Sequence, residues 1–482
     1  MTDVVVIGAG PAGVLAALRA AELGARTTLL SDGEFGGMAA HDGPVPVRAL
    51  AYAARLMRDA RQLPRYGITE AEPQLHFDHL LARVREIVHE VRTRTALRER
   101  VDAVGVTLHE SCGPARFVSP HAVKTASGLE LEADRFIVCT GGVSRRLDVP
   151  GADLAHTHSD AWGLERVPPS ILVVGSGHTG VQIASLFSAF GSRVQLFEGG
   201  PRILRSEDAD VSAAVATGFR ASGVEVHEGF GKIASFERIE GGVRMNFRGA
   251  QGDGHAQASV AVVATGWVAD TARLDLACAG VELSPRGTIK VDEYLRTSAP
   301  HIFAAGDVTG RLMLVPAAIE DGFVAATNAV QGPTQPLRHR VSPSGSFSHP
   351  EYAQVGLTEA KARETHDVVA TTVPYDGAVR AIIEGRTLGF CKLVVDCASC
   401  DILGCHVVGD HAVETVQLAA VAMSARMRVD ELARVAVSFP TYAEVLVHAA
   451  VRASAELKLP LGGRADAAVR AIPSHGALEP HA

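Results

Sequence analysis

Short apolar runs and glycine-rich turns alternate along the first part of the chain. Residues 4–7 (VVVI) form a β-branched run, which is followed by glycines and an Ala/Leu-rich stretch, and residues 27–30 (TTLL) form a second run. Longer polar stretches with helical spacing lie near 46–62 and 76–100. Short β-branched runs bounded by turn residues predict strands, whereas the Ala/Leu-rich stretch predicts a helix. The pattern therefore predicts a strand, turn, helix and strand unit followed by further helices.

The same order of elements begins again near the middle of the chain. Residues 171–180 (ILVVGSGHTG) match the N-terminal strand and turn, and the apolar run 193–197 closes this second unit. Residues 259–266 (SVAVVATG) likewise mirror residues 136–142 (FIVCTGG), which follow an alternating stretch at 104–135 that predicts an antiparallel ribbon. A repeat of roughly 165 residues is too long for a solenoid and predicts two copies of one α/β plan.

The C-terminal third follows a different pattern. Residues 301–307 (HIFAAGD) predict a strand with an acid at its end, and the Pro/Ser-rich stretch 332–346 predicts a linker. Two strands and then two amphipathic helices are predicted near 392–396, 402–409, 413–427 and 441–457.

Composition and charge narrow the class of protein. The 482 residues are too many for one ordinary core, so two or three domains are expected. The formal charge of −8 argues against a nucleic-acid partner or an anionic membrane surface. Apolar runs fall short of the ~20 residues that span a bilayer, so membrane insertion is not expected. An odd number of scattered cysteines, seven in all, favours a reducing compartment and a cytoplasmic location.

The first glycine-rich turn predicts a dinucleotide site. It consists of Gly8, Ala9, Gly10, Pro11, Ala12 and Gly13. Gly8 permits the tight turn, Gly10 lets the backbone approach a pyrophosphate, and Gly13 lets the helix pack on the strand. The positive end of the following helix then faces the phosphates.

The second glycine-rich turn predicts another such site. It consists of Gly175, Ser176, Gly177, His178, Thr179 and Gly180. Glu198 ends the next strand, where a carboxylate accepts both ribose hydroxyls and repels a 2′-phosphate. NADH is therefore expected in preference to NADPH, although the neighbouring Arg193 and Arg202 leave NADPH possible. At the matching distance after Gly8 stands Ser31, with Asp32 next, so either residue is expected to bind the ribose of the first dinucleotide.

These motifs together resemble the pyridine nucleotide–disulfide oxidoreductases, flavoproteins related to lipoamide dehydrogenase, glutathione reductase and mercuric reductase. The resemblance runs from about residue 3 to 458. Its motifs are the two glycine turns, the pair Gly36 and Gly37, and residues 264–266 (ATG), 304–310 (AAGDVTG), 349–359 (HPEYAQVGLTE) and 439–444 (FPTYAE). It implies FAD and NAD(H) as cofactors, with NADP(H) possible, and a homodimer.

The fold class that follows is α/β, with two Rossmann-like dinucleotide-binding domains, for FAD and NAD(P), plus a C-terminal α+β dimerisation domain. The expected boundaries are 1–150 and 271–335 for the FAD domain, 151–270 for the NAD(P) domain, 340–458 for the interface domain and 459–482 for a flexible tail. The resemblance also implies that Asp307 binds the ribityl–phosphate region, and that the backbone of Leu314 and Val315 lies along the flavin. Further cofactor contacts are expected at Gly36, Gly37, Met38, Arg48, Ala115, Thr140, Gly141, Gly266 and Gly306.

The chain departs from the family where sulfur would carry electrons. Aligned on Gly36-Gly37 and on Pro46, the two family cysteines correspond to Ala39 and Pro44, which cannot relay electrons. The lysine near flavin N5 corresponds to Arg48, and its glutamate partner to Gln182. A retained cation favours an anionic reduced flavin.

The second departure lies near the C-terminus. The catalytic histidine that the partner subunit supplies in the family corresponds to Phe439, while Pro440, Thr441 and the supporting Glu444 remain. Without thiol protons to manage, no imidazole is needed there. Members of the family that resemble soluble transhydrogenases or quinone reductases also carry an aromatic residue before Pro-Thr.

Several polar residues admit two interpretations. His178 stands where the family has a tyrosine that covers the flavin, and it is either such a cover or a solvated residue. His41 and Asp42 either supply a proton to the acceptor or lie on a solvated helix face. Cys397 and Cys400 have a redox or metal spacing, although a surface loop is the favoured interpretation.

The sequence thus predicts an FAD-dependent NAD(P)H:acceptor oxidoreductase with Arg48, His178, Phe439 and Glu444 as candidate catalytic residues. The expected acceptor is not a disulfide but a small molecule such as a quinone. A soluble NAD(P) transhydrogenase is the first alternative. A flavin-bound scaffold or sensor with little turnover is the second.

Overall fold

A computed structural model describes residues 1–69, 71–94, 97–249, 252–338 and 341–461. Most of the predicted tail at 459–482 therefore lies outside the described residues. Within the described ranges, the helices are all too short or too polar to cross a membrane.

The chain alternates strands and helices over most of its length. The strands, numbered in chain order, are β1 (Asp3–Ile7), β2 (Arg26–Leu30), β3 (Thr107–His109), β4 (Ala115–Ser119), β5 (Ala122–Thr125), β6 (Glu130–Glu132), β7 (Arg135–Val138), β8 (Gly142–Ser144), β9 (Ser170–Val174), β10 (Arg193–Glu198), β11 (Glu225–Glu228), β12 (Lys232–Ile239), β13 (Gly242–Gly249), β14 (Gly252–Ala258), β15 (Val260–Val263), β16 (Trp267–Ala269), β17 (Ile302–Ala304), β18 (Ser344–Ser346), β19 (Tyr352–Gly356), β20 (Val368–Pro374), β21 (Phe390–Asp396) and β22 (Ile402–Val408). The helices are α1 (Pro11–Glu22), α2 (Gly37–His41), α3 (Pro44–Ala60), α4 (Phe77–Arg94), α5 (Leu97–Ala103), α6 (His158–Trp162), α7 (His178–Ala189), α8 (Ala209–Ala221), α9 (Val315–Gln331), α10 (Glu359–Ala362), α11 (Val379–Ile383), α12 (Ala412–Ser424), α13 (Val429–Leu432) and α14 (Glu444–Glu456). The α/β class predicted from the sequence is confirmed.

The first compact unit contains residues 1–148, 155–167 and 262–338. Its main sheet has the parallel order β17-β7-β1-β2-β3, so β1 lies in the middle and the turn after it opens at the sheet's carboxyl edge. Ligands of open α/β sheets bind at that edge. Residues 107–109 were predicted to belong to an antiparallel ribbon, and this is wrong: they pair in parallel with β2. The ribbon itself is the antiparallel sheet β4-β5-β6.

Helices α1 and α9 pack closely in this unit. A Cβ added at Gly322 of α9 would lie 2.1 Å from the backbone oxygen of Ala12 in α1, so the two backbones approach each other there. The other buried residues of α1 include the small Ala16, Ala17 and Ala20 beside Val14 and Leu18. The first turn of α1 is thereby held firmly in place above β1.

The second compact unit contains residues 149–154, 168–261 and 341–461. Its parallel sheet has the order β11-β10-β9-β15, and β9 leads into α7 as β1 leads into α1. The antiparallel sheet β12-β13-β14 accompanies it. Since the contacts place residues 341–461 in this unit, the predicted division into separate NAD(P) and interface domains stays a prediction.

A five-stranded antiparallel sheet of order β18-β19-β22-β21-β20 forms the C-terminal part of the second unit. Helices α12 and α14 contribute Val416, Ala419, Val445 and Ala449 to its apolar core. The predicted linker at 332–346 is wrong at its end, because Ser344–Ser346 forms β18 and pairs with β19.

Candidate functional site

The turn after β1 fits tightly around its first and last glycines. Gly8 has a φ of 106°, and a Cβ added there would lie 2.3 Å from the carbonyl oxygen of Cys139. A Cβ at Gly13 would lie 1.7 Å from the oxygen of Gly8. A side chain at Gly13 would push α1 away from the sheet, which is the packing role predicted for that residue, and the positive φ of Gly8 fits its predicted role in the tight turn.

Gly10 is different, because the fold itself does not require a glycine there. Its φ of −77° and ψ of −175° suit any residue, and no protein atom lies within 4 Å of an added Cβ. Gly177 repeats this geometry in the second unit, with φ −72°, ψ −173° and the same open space. A glycine in an unstrained and open position fits a ligand that must reach the backbone. Both turns therefore fit the pyrophosphate of a dinucleotide.

Two candidate ribose-binding residues lie at the end of β2, and they differ in exposure. Ser31 is buried, and its hydroxyl donates to the carbonyl of Glu34 at 3.2 Å. The Asp32 carboxylate is half-exposed and pairs with Arg273 at 2.9 Å. Asp32 is thus the more accessible of the two. Ala115 follows a loop whose Gly113 N–H donates to the carbonyl of Asp32, so Ala115 lies beside this strand end.

The segment after the Gly36-Gly37 pair is interrupted. α2 ends at His41, Asp42 and Gly43 form a turn in which both N–H groups donate to the carbonyl of Met38, and α3 starts at Pro44. His41 is partly exposed, and its Nε2 contacts the Phe35 carbonyl at 3.0 Å.

Asp42 contacts a buried polar cluster. Its Oδ2 accepts a hydrogen bond from Ser159 and lies 3.5 Å from Nε2 of His158. The other ring nitrogen of His158, Nδ1, lies 2.7 Å from Oγ of Ser144, and Trp267 packs edge-on against the ring at 4.5 Å. Burial lowers the pKa of His158, although the carboxylates of Asp42 and Asp160 oppose that effect. The sequence offers no signal for this cluster.

Asp307 lies where a cofactor is expected to cross the sheet. A Cβ added at Gly142 would lie 3.6 Å from its Cβ. Burial, followed by repulsion from Asp321, raises the pKa of Asp307 to about 6. Asp321 accepts the N–H of Gly306 at 3.2 Å and thereby holds the backbone beside Asp307.

The remaining predicted FAD contacts lie in the same unit. Leu314 and Val315 form the N-terminus of α9, where the unpaired N–H groups of a helix favour negative charge. Thr140 donates from its hydroxyl to the carbonyl of Asp270 at 2.7 Å, and Gly266 accepts the N–H of Arg145. Arg48 lies half-buried in α3. Their cofactor contacts stay predictions.

Glu198 ends β10 beside the second glycine turn. Ser176 donates to its Oε2 at 2.6 Å and the N–H of Gly200 to its Oε1 at 2.7 Å, so the carboxylate is fixed at the mouth of the turn. Arg193 was a candidate phosphate ligand, and this is wrong. It lies at the opposite end of the six-residue strand, roughly 16 Å away at about 3.3 Å per residue.

Two other arginines lie near Glu198. Arg202 donates to the carbonyls of Leu204, Arg205 and Glu207, so its guanidinium is engaged by the loop. Arg205 was not singled out from the sequence, yet its side chain lies against Gly200, where an added Cβ would be 2.6 Å from its Cδ.

His178 is held from two sides at the start of α7. Its Nε2 lies 3.2 Å from the buried carboxylate of Glu207, and its Nδ1 lies 3.0 Å from the hydroxyl of Tyr352. The imidazole is therefore a fixed group of the second unit rather than a freely solvated side chain. Gln182, one turn further along α7, donates to the carbonyl of His178 at 3.2 Å.

The two C-terminal candidates differ in exposure. Phe439 is 73% exposed, whereas Glu444 is buried and accepts the N–H of Val379 at the start of α11. Burial raises the pKa of Glu444. This contact is structural, and the catalytic roles of both residues stay predictions.

Cysteines lie away from the Ala39–Pro44 segment in sequence, since the first is Cys112. Cys112 is buried, and burial raises the pKa of its thiol. Cys397 and Cys400 lie in the hairpin loop between β21 and β22, as expected. No group of three metal-ligating side chains occurs in the described part of the chain.

Comparisons with known proteins agree on one family. A family model described as pyridine nucleotide-disulphide oxidoreductase matches residues 2–322, and the model of its dimerisation domain matches residues 342–450. Dihydrolipoyl dehydrogenase of Zymomonas mobilis is 33% identical over 454 residues, which cover 92% of this chain and 96% of that protein. Mercuric reductase of Bacillus cereus is 31% identical over 450 residues, covering 92% and 70%.

A solved structure gives the same fold. The HOCl-induced flavoprotein disulfide reductase RclA of Escherichia coli matches with a TM-score of 0.82 and 24% identity, over 92% of this chain and 98% of that one. At this identity the likeness concerns the fold alone.

Proposed function

Because the chain belongs to the pyridine nucleotide-disulphide oxidoreductase family, we propose that it passes an electron pair from NADH through FAD to an acceptor that is not a disulfide. The observation that carries this proposal is that no cysteine precedes Cys112 in the sequence, and the alignment on Gly36-Gly37 and Pro46 matches Ala39 and Pro44 to the two family cysteines. A quinone or a similar flat molecule is the acceptor class that small apolar side chains at these positions favour.

The two glycine turns and their strand ends would hold the cofactors. FAD would lie on Gly10 and the N-terminus of α1, with Asp32 at its ribose and Asp307 at its ribityl chain, whereas NADH would lie on Gly177 with Glu198 at its ribose. When bound, FAD supplies the chemistry that links a two-electron donor to acceptors of several kinds.

The protein's own groups would orient and polarise this arrangement. Arg48 offers a positive charge near the expected flavin, and the N-terminus of α9 offers unpaired N–H groups to negative charge. His178, fixed by Glu207 and Tyr352, would shape the nicotinamide pocket. The match to the dimerisation model supports a homodimer, in which exposed apolar residues such as Phe439 would be covered.

An acceptor screen with the purified holoenzyme tests the proposal. NADH is expected to bleach the flavin, and a soluble benzoquinone to restore its absorbance much faster than glutathione disulfide or lipoamide. High turnover with a disulfide would overturn the proposal. Re-oxidation by an NADP⁺ analogue instead would favour a transhydrogenase, and no bleaching by NADH or NADPH would favour a scaffold.

Glu198 is expected to set the preference for NADH. In Glu198→Ala, NADH loses a charged hydrogen-bond acceptor worth about 1.5–3 kcal/mol, so kcat/KM for NADH should fall roughly 10- to 100-fold. NADPH should lose nothing and gain from the removed repulsion. Glu225→Gln, at the other end of the neighbouring strand β11, is the control. An unchanged NADH to NADPH ratio in Glu198→Ala would contradict the assigned role.

A further inference from the structure

The proposed reaction consumes a proton for which the cofactors provide no source. A quinone takes up two electrons and two protons, and NADH supplies the electron pair with only one proton, as a hydride. The second proton has to come from water through the protein or directly from solvent. A side chain that contacts the acceptor and is linked by hydrogen bonds to a buried base could deliver this second proton.

Asp42 occupies such a position in the first unit. It lies in the turn between α2 and α3, between Ala39 and Pro44 in sequence, and its side chain is 34% exposed. The same carboxylate oxygen that lies near Nε2 of His158 also accepts the Ser159 hydroxyl. One side of Asp42 is thus reachable by a substrate, while the other contacts a buried imidazole.

His158 continues the path into the protein. Its side chain is only 4% exposed, and its two nitrogens face Asp42 on one side and Ser144 on the other. The charged groups that act on it are Asp42 from the turn and Asp160 from its own helix α6. Burial lowers the pKa of His158 and so favours the neutral ring, in which Nε2 and Nδ1 comprise one donor and one acceptor. A neutral imidazole between a carboxylate and a hydroxyl can accept a proton at one nitrogen and release one at the other.

We propose that Asp42, Ser159, His158 and Ser144 form a proton relay for the acceptor, with Asp42 as the group that touches it. This inference rests on the proposed function. In the balanced reaction, NADH and one relayed proton convert a quinone and yield NAD⁺ and the hydroquinone. The proton enters from solvent and passes by way of Ser144, His158 and Ser159 to the Asp42 carboxylate. Asp42 hands it on to the acceptor oxygen and is a carboxylate again after each turnover.

An acceptor that takes electrons without protons separates the relay from the rest of the enzyme. Ferricyanide is such an acceptor, whereas a soluble benzoquinone needs protons. In Asp42→Asn, benzoquinone reduction should slow roughly 100-fold or more, the usual contribution of a general acid. Flavin content, bleaching by NADH and ferricyanide reduction should stay within about two-fold of wild type, because none of them uses the relay. Asp102→Asn, on the exposed face of α5, is the matched control.

A second readout does not depend on turnover. Nitrogen NMR of ¹⁵N-histidine-labelled protein, with the His158 signal assigned through His158→Gln, reports which ring nitrogen carries the proton. Wild type should show a neutral ring with a fixed tautomer, and Asp42→Asn should shift the Nε2 resonance. Ser144→Ala should shift the Nδ1 resonance instead.

Four results would contradict the relay or the proposed function. Equal benzoquinone rates in Asp42→Asn and wild type would overturn the relay, and so would an equal loss with ferricyanide, which would make Asp42 a structural residue. An unperturbed His158 resonance in Asp42→Asn would also overturn it. A wild-type flavin that NADH cannot bleach would overturn the proposed function, and the relay with it.

Discussion

Gly10→Ala is expected to yield a folded protein that binds FAD more weakly and retains less of it. The backbone angles at Gly10 suit alanine, and no protein atom lies within 4 Å of the new Cβ. The fold should therefore tolerate the methyl group, which would meet only the pyrophosphate. An overpacked contact of about 1–3 kcal/mol weakens binding roughly 5- to 150-fold. Flavin absorbance per protein and the melting temperature of the flavin-free protein measure the two effects separately.

Two further glycine variants serve as comparisons. In Gly13→Ala the Cβ would lie 1.7 Å from the oxygen of Gly8, so α1 has to move and the flavin-free protein itself should melt lower. Gly177→Ala should keep FAD and the melting temperature yet lose bleaching by NADH, because Gly177 has the same open geometry in the second unit. If Gly10→Ala kept its full flavin content, the first turn would not be the pyrophosphate site.

Lys392→Met is expected to destabilise the second unit by about 3–5 kcal/mol, the cost of breaking a buried ion pair. The Lys392 side chain is 4% exposed and bridges three carboxylates: Asp208 at 3.0 Å, Asp210 at 2.7 Å and Glu359 at 2.5 Å. Asp208 is itself buried, so its charge would remain without the ammonium. Urea unfolding of the holoenzyme measures the change. Lys290→Met removes an exposed pair with Glu282 and should cost less than about 1 kcal/mol.

The effect of Lys392→Met should depend on pH in a defined direction. Burial alone would raise the pKa of Asp208, but the Glu359 N–H and the Lys392 ammonium hold it below its usual range. The pKa of Glu359 is also lowered, because burial would raise it but hydrogen bonds from Lys392 and Arg363 outweigh that effect. Lowered carboxylate pKa values contribute stability above about pH 4 and lose it as the pH falls further. The difference between variant and wild type should therefore be largest near neutrality and shrink as the pH falls, because Asp208 and Glu359 take up protons in acid and no longer need the Lys392 ammonium. A difference that grows in acid would contradict this assignment.

The two glycine-rich turns could be predicted from the sequence because they depend on residues that are close together along the chain. Gly8, Gly10 and Gly13 act through the backbone of one turn and the start of one helix, and the flanking apolar runs make the strands recognisable. The position of Glu198 at the end of β10 could be predicted for the same reason. Arg193 was misjudged since proximity in sequence along a strand corresponds to a long distance in space.

What the sequence could not reveal depends on contacts between distant segments. Asp42 and Ser159 are separated by 117 positions, and Lys392 and Asp208 by 184, so no pattern along the chain connects them. The parallel pairing of β3 with β2 was missed because a three-residue strand at a sheet edge carries too little pattern. The position of Arg205 depends on the path of a loop.

The near-identical backbone angles at Gly10 and Gly177 bear on the design of inhibitors. FAD and NAD share an adenosine diphosphate half, and in the proposed arrangement both turns would receive that half with the same backbone geometry. A compound built on that common moiety would thus compete at both places, and swapping its terminal group would not make it selective. A selective compound would have to use the groups proposed to bind the two riboses, which are an aspartate paired with Arg273 in one unit and a glutamate fixed by Ser176 in the other.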